Sequence, residues 1–181
     1  NPALAPATPR LRQISADDRS LLNEWATSRR ALRGEQRAEA AKRIEACICE
    51  GQVKLDLSGL GLTELPNDIW EHCGHIMSLN LGHNRLHRLP DTMQSCKQLR
   101  SVDLSFNCFY SVPSQSTPWA RLRHLDLGHN RIFDVPADIF SRPCLEELRL
   151  NHNRLRALPT EVDRFSRLKF IDLRGLSIEV I

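Results

Sequence analysis

The chain has 181 residues, 41% of them hydrophobic and only 6% aromatic, with 25 basic against 22 acidic side chains. That length suits one elongated domain. A net charge of +3 gives no ground for nucleic acid as a partner. No stretch approaches the roughly 18–20 consecutive apolar residues of a membrane span, and no secretory signal is visible.

Residues 1–14 are rich in proline and alanine and carry Arg10 and Arg12, so they read as a disordered lead-in. Ser15, followed by Asp17 and Asp18, has the form of a helix start. The spacing predicts a helix over about Asp17–Arg33, burying Leu21, Leu22 and Trp25, and broken by Gly34. A second helix over about Glu35–Glu50 places Ala38, Ala41, Ile44 and Ile48 on one face and ends at Gly51. The pair, residues 15–51, is expected to cover the open edge of whatever follows, with its arginines facing solvent.

Residues 52–181 repeat one pattern. Val53–Ile69, Ile76–Met93, Leu99–Ser116, Leu122–Ile139, Leu145–Val162 and Leu168–Ile181 align as L-x-x-L-x-L-x-x-N-x-L-x-x-L-P-x-x-I. The fourth position runs Leu55, Leu79, Val102, Leu125, Leu148, Ile171, at intervals of 24 and then 23 residues. Alternating apolar residues in L-x-x-L-x-L point inward, as in a strand. A buried amide at Asn84, Asn107, Asn130 or Asn153 must be paired with backbone groups of its own and the adjacent turn. The end repeats carry Leu60 and Leu176 there. Pro66, Pro90, Pro113, Pro136 and Pro159 end each ascending stretch. Short helical or 3-10 turns, such as Asn67–Ile69 and Ala137–Phe140, should follow on the convex side. The third repeat lacks its aliphatic after Pro113, which predicts a looser loop over 113–118 with Trp119 filling the layer. The last repeat is incomplete at Ile181, and further repeats or another domain are expected beyond it.

A period of this length with these residues is the leucine-rich-repeat signature. The fold class it implies is an α/β leucine-rich-repeat solenoid, with a parallel concave sheet, short convex helices or 3-10 turns and the N-terminal helical cap. Such arrays present a concave surface to a partner. The six cysteines are scattered, with no C-x-x-C pair to hold zinc, so reduced thiols are expected.

Trp25, Arg37–Cys47 and the run Gly51-Gln-Val-Lys-Leu-Asp-Leu-Ser-Gly-Leu-Gly-Leu-Thr-Glu-Leu-Pro66 resemble the cap and first repeat of type III secreted bacterial effectors. The best-known group is the effector ubiquitin ligases, whose repeats recognise a host protein and can restrain a C-terminal catalytic domain. The resemblance implies secretion into the host-cell cytoplasm, a host protein as partner and a contact with such a C-terminal domain. That family mostly uses repeats of about 20 residues. The longer L-P-x-x-I type is similar to plant-pathogen effectors, some joined to Fic-type nucleotide transferases, and to eukaryotic Ras-group scaffolds. Neither a ligase cysteine motif nor the Fic motif H-P-F-x-[DE]-G-N occurs in these residues. A catalytic site, a metal and a cofactor are therefore not expected here. The alternative is a cytosolic scaffold with no attached enzyme.

Outward positions form columns. One runs Asp56, Asn80, Asp103, Asp126, Arg149, Asp172, and another Gly59, His83, Phe106, His129, His152, Gly175, flanked by Arg100 and Arg123. Binding energy concentrates on aromatic and arginine anchors. The expected partner-binding residues are therefore Asp103, Asp126, Arg149, Phe106, His129, His152, Arg123, Tyr110 and Phe133. His129 and His152 should be close, but two imidazoles make a poor zinc site.

Overall fold

The computed structural model describes residues 14–113, 119–140, 142–158 and 167–176. Two helices, α1 (Ala16–Thr27) and α2 (Arg37–Glu50), precede six strands: β1 (Lys54–Asp56), β2 (Ser78–Asn80), β3 (Ser101–Asp103), β4 (His124–Asp126), β5 (Glu147–Arg149) and β6 (Phe170–Asp172). The strands form one parallel sheet in chain order. Leu55, Leu79, Val102, Leu125, Leu148 and Ile171 stand side by side in register. In β1 to β5 the central residue of each strand is buried in the core and its neighbours turn outward, while in β6 Ile171 is partly buried and Asp172 is buried. The return path runs through 3-10 turns at Asp68–Cys73, Asp91–Ser95 and Ala137–Ile139.

The asparagine ladder is present, and each rung ties two repeats together. Asn130 Oδ1 accepts from Phe109 N at 3.0 Å, and its amide donates to the carbonyls of Leu104 and Leu127 at 2.9 and 3.0 Å. Asn84, Asn107 and Asn153 repeat the arrangement with Leu62 N, Leu86 N and Ile132 N. Leu60, at the first rung, has no preceding repeat to bond. It is buried, and its carbonyl accepts from Gln36 N of the cap at 2.9 Å.

Trp119 is fully buried, as the irregular third repeat requires, and so is Trp70. The loop expected over 113–118 and the turn after Pro159 lie largely outside the described residues. So does the lead-in up to residue 13. Ile14, grouped with that lead-in by composition, instead packs into the core.

The cap differs from expectation in four ways. The first helix ends at Thr27, because Ser28 N turns back to Trp25 O and the residues beyond offer no apolar face. Leu21 is 45% exposed, so Leu22 alone is the buried leucine of that helix. On α2 the buried face comprises Ala40, Ala41, Ile44, Cys47 and Ile48, and Ala38 is exposed.

Arg37 was expected in solvent and is buried at 2% exposure. Its Nε donates to Glu35 at 2.9 Å, its Nη1 donates to Glu64 at 3.0 Å, and its guanidinium lies 5.4 Å from the Trp25 ring. A buried cation needs such partners. Glu35 also accepts from Thr63, through both hydroxyl and backbone N–H, and from Leu32 N. The cap is thereby tied to the first repeat by ionic bonds as well as apolar packing. Gly51 ends α2 in the left-handed conformation, φ 64°.

Candidate recognition surface

The sheet face is built by the outward residues of each strand. A depression of about 260 Å³ lies at its centre, lined by Ser101, Asp103, His124, Asp126, Glu147 and Arg149. Arg149 donates to Glu147 at 2.7 Å and lies 3.6 Å from Asp126, with its guanidinium 5.9 Å from the Phe170 ring. Glu147 meets His124 at 3.1 Å. Glu146 stands between Arg123 at 3.7 Å and Lys169 at 2.8 Å. Burial opposes ionisation of Glu147, yet the hydrogen bonds from His124 and Arg149 hold its carboxyl below the usual range. Asp126 moves the other way. Burial raises it, with Asp103 and Glu147 adding to the rise.

The acidic column also has a conformational task. Asp103 Oδ1 accepts from Ser105 N at 2.8 Å and Asp126 Oδ1 from Gly128 N at 2.9 Å. Asp56, Asn80 and Asp172 do the same for Ser58, Gly82 and Arg174. These bonds close the bend that ends five of the six strands, β5 carrying Arg149 at that position. Part of the periodicity read as a binding stripe is therefore the chemistry of a turn.

Just beyond that bend the backbone becomes left-handed at His83, Phe106, His129 and His152, with φ between 52° and 55°. Gly59 and Gly175 hold the same position in the end repeats. The four rings stack into one column. Centroids are 4.3 Å apart for His83–Phe106, 4.0 Å for Phe106–His129 and 4.4 Å for His129–His152. Gly175 closes one end: a Cβ there would lie 2.4 Å from His152 Nδ1. Neighbouring rings take up the faces, so the ring edges are presented to solvent.

Past the ring column the buried asparagine intervenes, and the chain points outward again at Arg85, Cys108, Arg131 and Arg154. A buried aliphatic or Phe109 follows, and then His87, Tyr110, Phe133 and Arg156 point outward. Inter-repeat backbone bonds of 2.7–2.9 Å hold these rungs in line, from Arg85 N to Leu62 O through Arg154 N to Ile132 O. Repeats two to five thus present an ascending edge of aromatic and cationic side chains. Phe106, Tyr110 and Phe133 are 43%, 49% and 59% exposed. Arg131 donates to the Tyr110 hydroxyl at 3.1 Å.

The nine residues singled out from sequence therefore fall into two groups. Asp103, Asp126, Arg149 and Arg123 lie on the sheet face, and Phe106, His129, His152, Tyr110 and Phe133 on the ascending edge. His124, Glu147 and the arginines of the edge were not singled out, although their columns were legible at the same period. A larger groove of about 810 Å³ lies away from both, between α1 and the turns at Pro66 and Pro90. Trp25 runs along it with its indole N–H unpaired. No group of three or more metal-ligating side chains occurs among the described residues, and no described helix is long and apolar enough to cross a membrane.

A family model for the leucine rich repeat matches residues 53–109 and 120–177. The chain belongs to the leucine-rich-repeat family. Among solved structures it is similar to a Shigella effector leucine-rich-repeat domain, at 25% identity over 93% of this chain and 69% of that one, with a TM-score of 0.74. YopM from Yersinia enterocolitica aligns at 23% identity and a TM-score of 0.70, and this chain spans only 34% of its length. The leucine-rich-repeat domain of the type III effector XopL aligns at 22% identity and 0.69, covering 90% of this chain and 59% of that one. The last two likenesses speak to the fold. No curated protein matches the sequence. The effector resemblance carried by the cap and first repeat thus recurs in the solved structures, and the fold is that of a protein-interaction module.

Proposed function

We propose that this chain is the recognition domain of an injected bacterial effector, which grips a host protein and presents it to an enzyme domain elsewhere in the polypeptide. The observation that carries the reading is the exposed ring column joined to a charged concave sheet on a capped, effector-like solenoid. Rings and arginines in rigid register lose little freedom on binding, which favours affinity. The attached enzyme would be a ubiquitin ligase or a Fic-type nucleotide transferase, and the same surface could hold that domain in check before the target arrives. Secretion into the host cytoplasm accords with the effector likeness, and cysteines scattered along the repeats with no C-x-x-C pair accord with a reducing compartment. The proposed contacts are Asp103, Asp126, Arg149 and Arg123 on the sheet and Phe106, His129, His152, Tyr110 and Phe133 on the edge.

The 23-residue period also favours a second reading, a cytosolic scaffold like the Ras-group repeats with no enzyme attached. A pull-down from host-cell lysate, with mass-spectrometric identification, tests the first. The wild-type chain should retain a host protein that the Phe106→Ala, His129→Ala, Arg149→Ala triple variant releases. Equal retention by both folded proteins would remove the surface from the account.

A further inference from the structure

We infer that the ascending edge is a docking surface for an acidic, extended segment of a partner protein. The inference rests on the recognition reading and names the chemistry of what is recognised. Its first support is a difference between two adjoining surfaces. On the sheet face Arg149, Arg123 and Lys169 are neutralised by Glu146, Glu147 and Asp126. On the edge, Arg85, Arg131, Arg154 and Arg156 are exposed and form no ion pair among the described residues. No carboxylate stands at the outward positions of those rungs in repeats two to five. The nearest in sequence is Asp134, one residue past Phe133. The edge thus carries a run of unneutralised arginines with no carboxylate between them, whereas the sheet-face cations other than Arg100 and Lys54 are paired.

The second support is the ring column. Stacking leaves ring edges outward, and aromatic edges carry the positive end of the quadrupole. Together with imidazole nitrogens and guanidinium forks they suit carboxylates. The same stacking disfavours single-stranded nucleic acid. Base recognition needs free aromatic faces, and within the column the neighbouring rings and Gly175 take up all but the outer face of His83. Rungs about 4.8 Å apart favour an extended chain that lies across them, with acidic side chains toward the arginines and aromatic ones beside Tyr110 and Phe133.

The test is fluorescence anisotropy with a fluorescein-labelled peptide of alternating glutamate and tyrosine. Controls are a lysine–tyrosine peptide and an oligouridylate of similar length. The whole 181-residue chain is compared with an Arg85→Glu, Arg131→Glu, Arg154→Glu triple variant, an Arg154→Glu single variant and a convex-side Lys97→Glu variant. Circular dichroism checks each fold, and the single variant serves if the triple does not fold. Saturable binding of the acidic peptide should weaken as salt rises, fall about tenfold or more in the triple variant, fall less in the single variant and persist in Lys97→Glu. Failure to bind the acidic peptide, equal binding of the lysine peptide, tighter binding of oligouridylate or insensitivity to arginine reversal would each overturn the inference. If a host protein is still captured and lost with Arg149, recognition stands and only the edge chemistry fails. If the peptide binds but no host protein is captured, the converse holds.

Discussion

Phe106 and His129 stack with ring centroids 4.0 Å apart and planes within 9° of parallel, and both hold a backbone conformation that L-residues avoid. The left-handed region costs a non-glycine residue roughly 1–2 kcal/mol. Phe106 stacks on both His83 and His129, and each pair returns about 0.5–1.5 kcal/mol beyond its area. The terms nearly cancel, so Phe106→Gly should leave stability within about 1 kcal/mol of wild type. Phe106→Val loses the stack and adds a β-branched side chain at positive φ, and should destabilise by about 2 kcal/mol. Urea unfolding of both variants checks this, and equal loss in both would contradict it.

Asn130 satisfies a buried N–H of the preceding repeat and carbonyls of both repeats. Asn130→Ala orphans them together and should cost about 3 kcal/mol, several times the effect of a surface change. The urea midpoint of this variant against that of Lys97→Ala decides it.

Glu35 and Arg37 anchor the cap. Burial alone would raise the Glu35 pKa, but hydrogen bonds from Thr63, Arg37 and Leu32 N hold it below its ordinary 4.5. A carboxyl lowered by folding contributes stability above its unfolded value and loses it as pH falls through the folded value. Melting temperature should therefore drop as pH is lowered from above 4.5 into the acid range. Glu35→Gln should flatten that dependence and, by leaving Arg37 less compensated, cost about 3 kcal/mol at neutral pH. A wild-type acid limb retained by the variant would show that other groups produce it.

Burial pushes the Cys47 thiol up to about 11 and the Cys96 thiol up to about 12. Only thiolates alkylate readily. Iodoacetamide on the native chain should label the partly exposed Cys49, Cys108 and Cys144 first, and Cys47 and Cys96 only on unfolding. Mass spectrometry of a time course reads the order directly, and early labelling of Cys96 would mean that the cap or second repeat opens.

Much of the fold was legible because every repeat states it again. A position such as Asn107 or Leu125 is read against the same position in its neighbours, and Trp119 stood out as the replacement for a missing aliphatic. The cap lacked that redundancy. Burial of Arg37 depends on Glu64, far along the chain, so single-helix periodicity could only place a cation in solvent. The geometry of the candidate surface was half legible. The columns gave Phe106, His129 and Arg149, but not that Asp103 and Asp126 close turns, nor that rings at left-handed positions stack. Both facts depend on backbone geometry rather than on residue type.

The most direct measurement is the affinity of the captured host protein for single variants on opposite sides of the solenoid, by calorimetry. Phe106→Ala should weaken binding about tenfold or more while Lys97→Ala leaves it unchanged. Weakening by Lys97→Ala with full affinity in Phe106→Ala would place the site on the convex side and contradict the account.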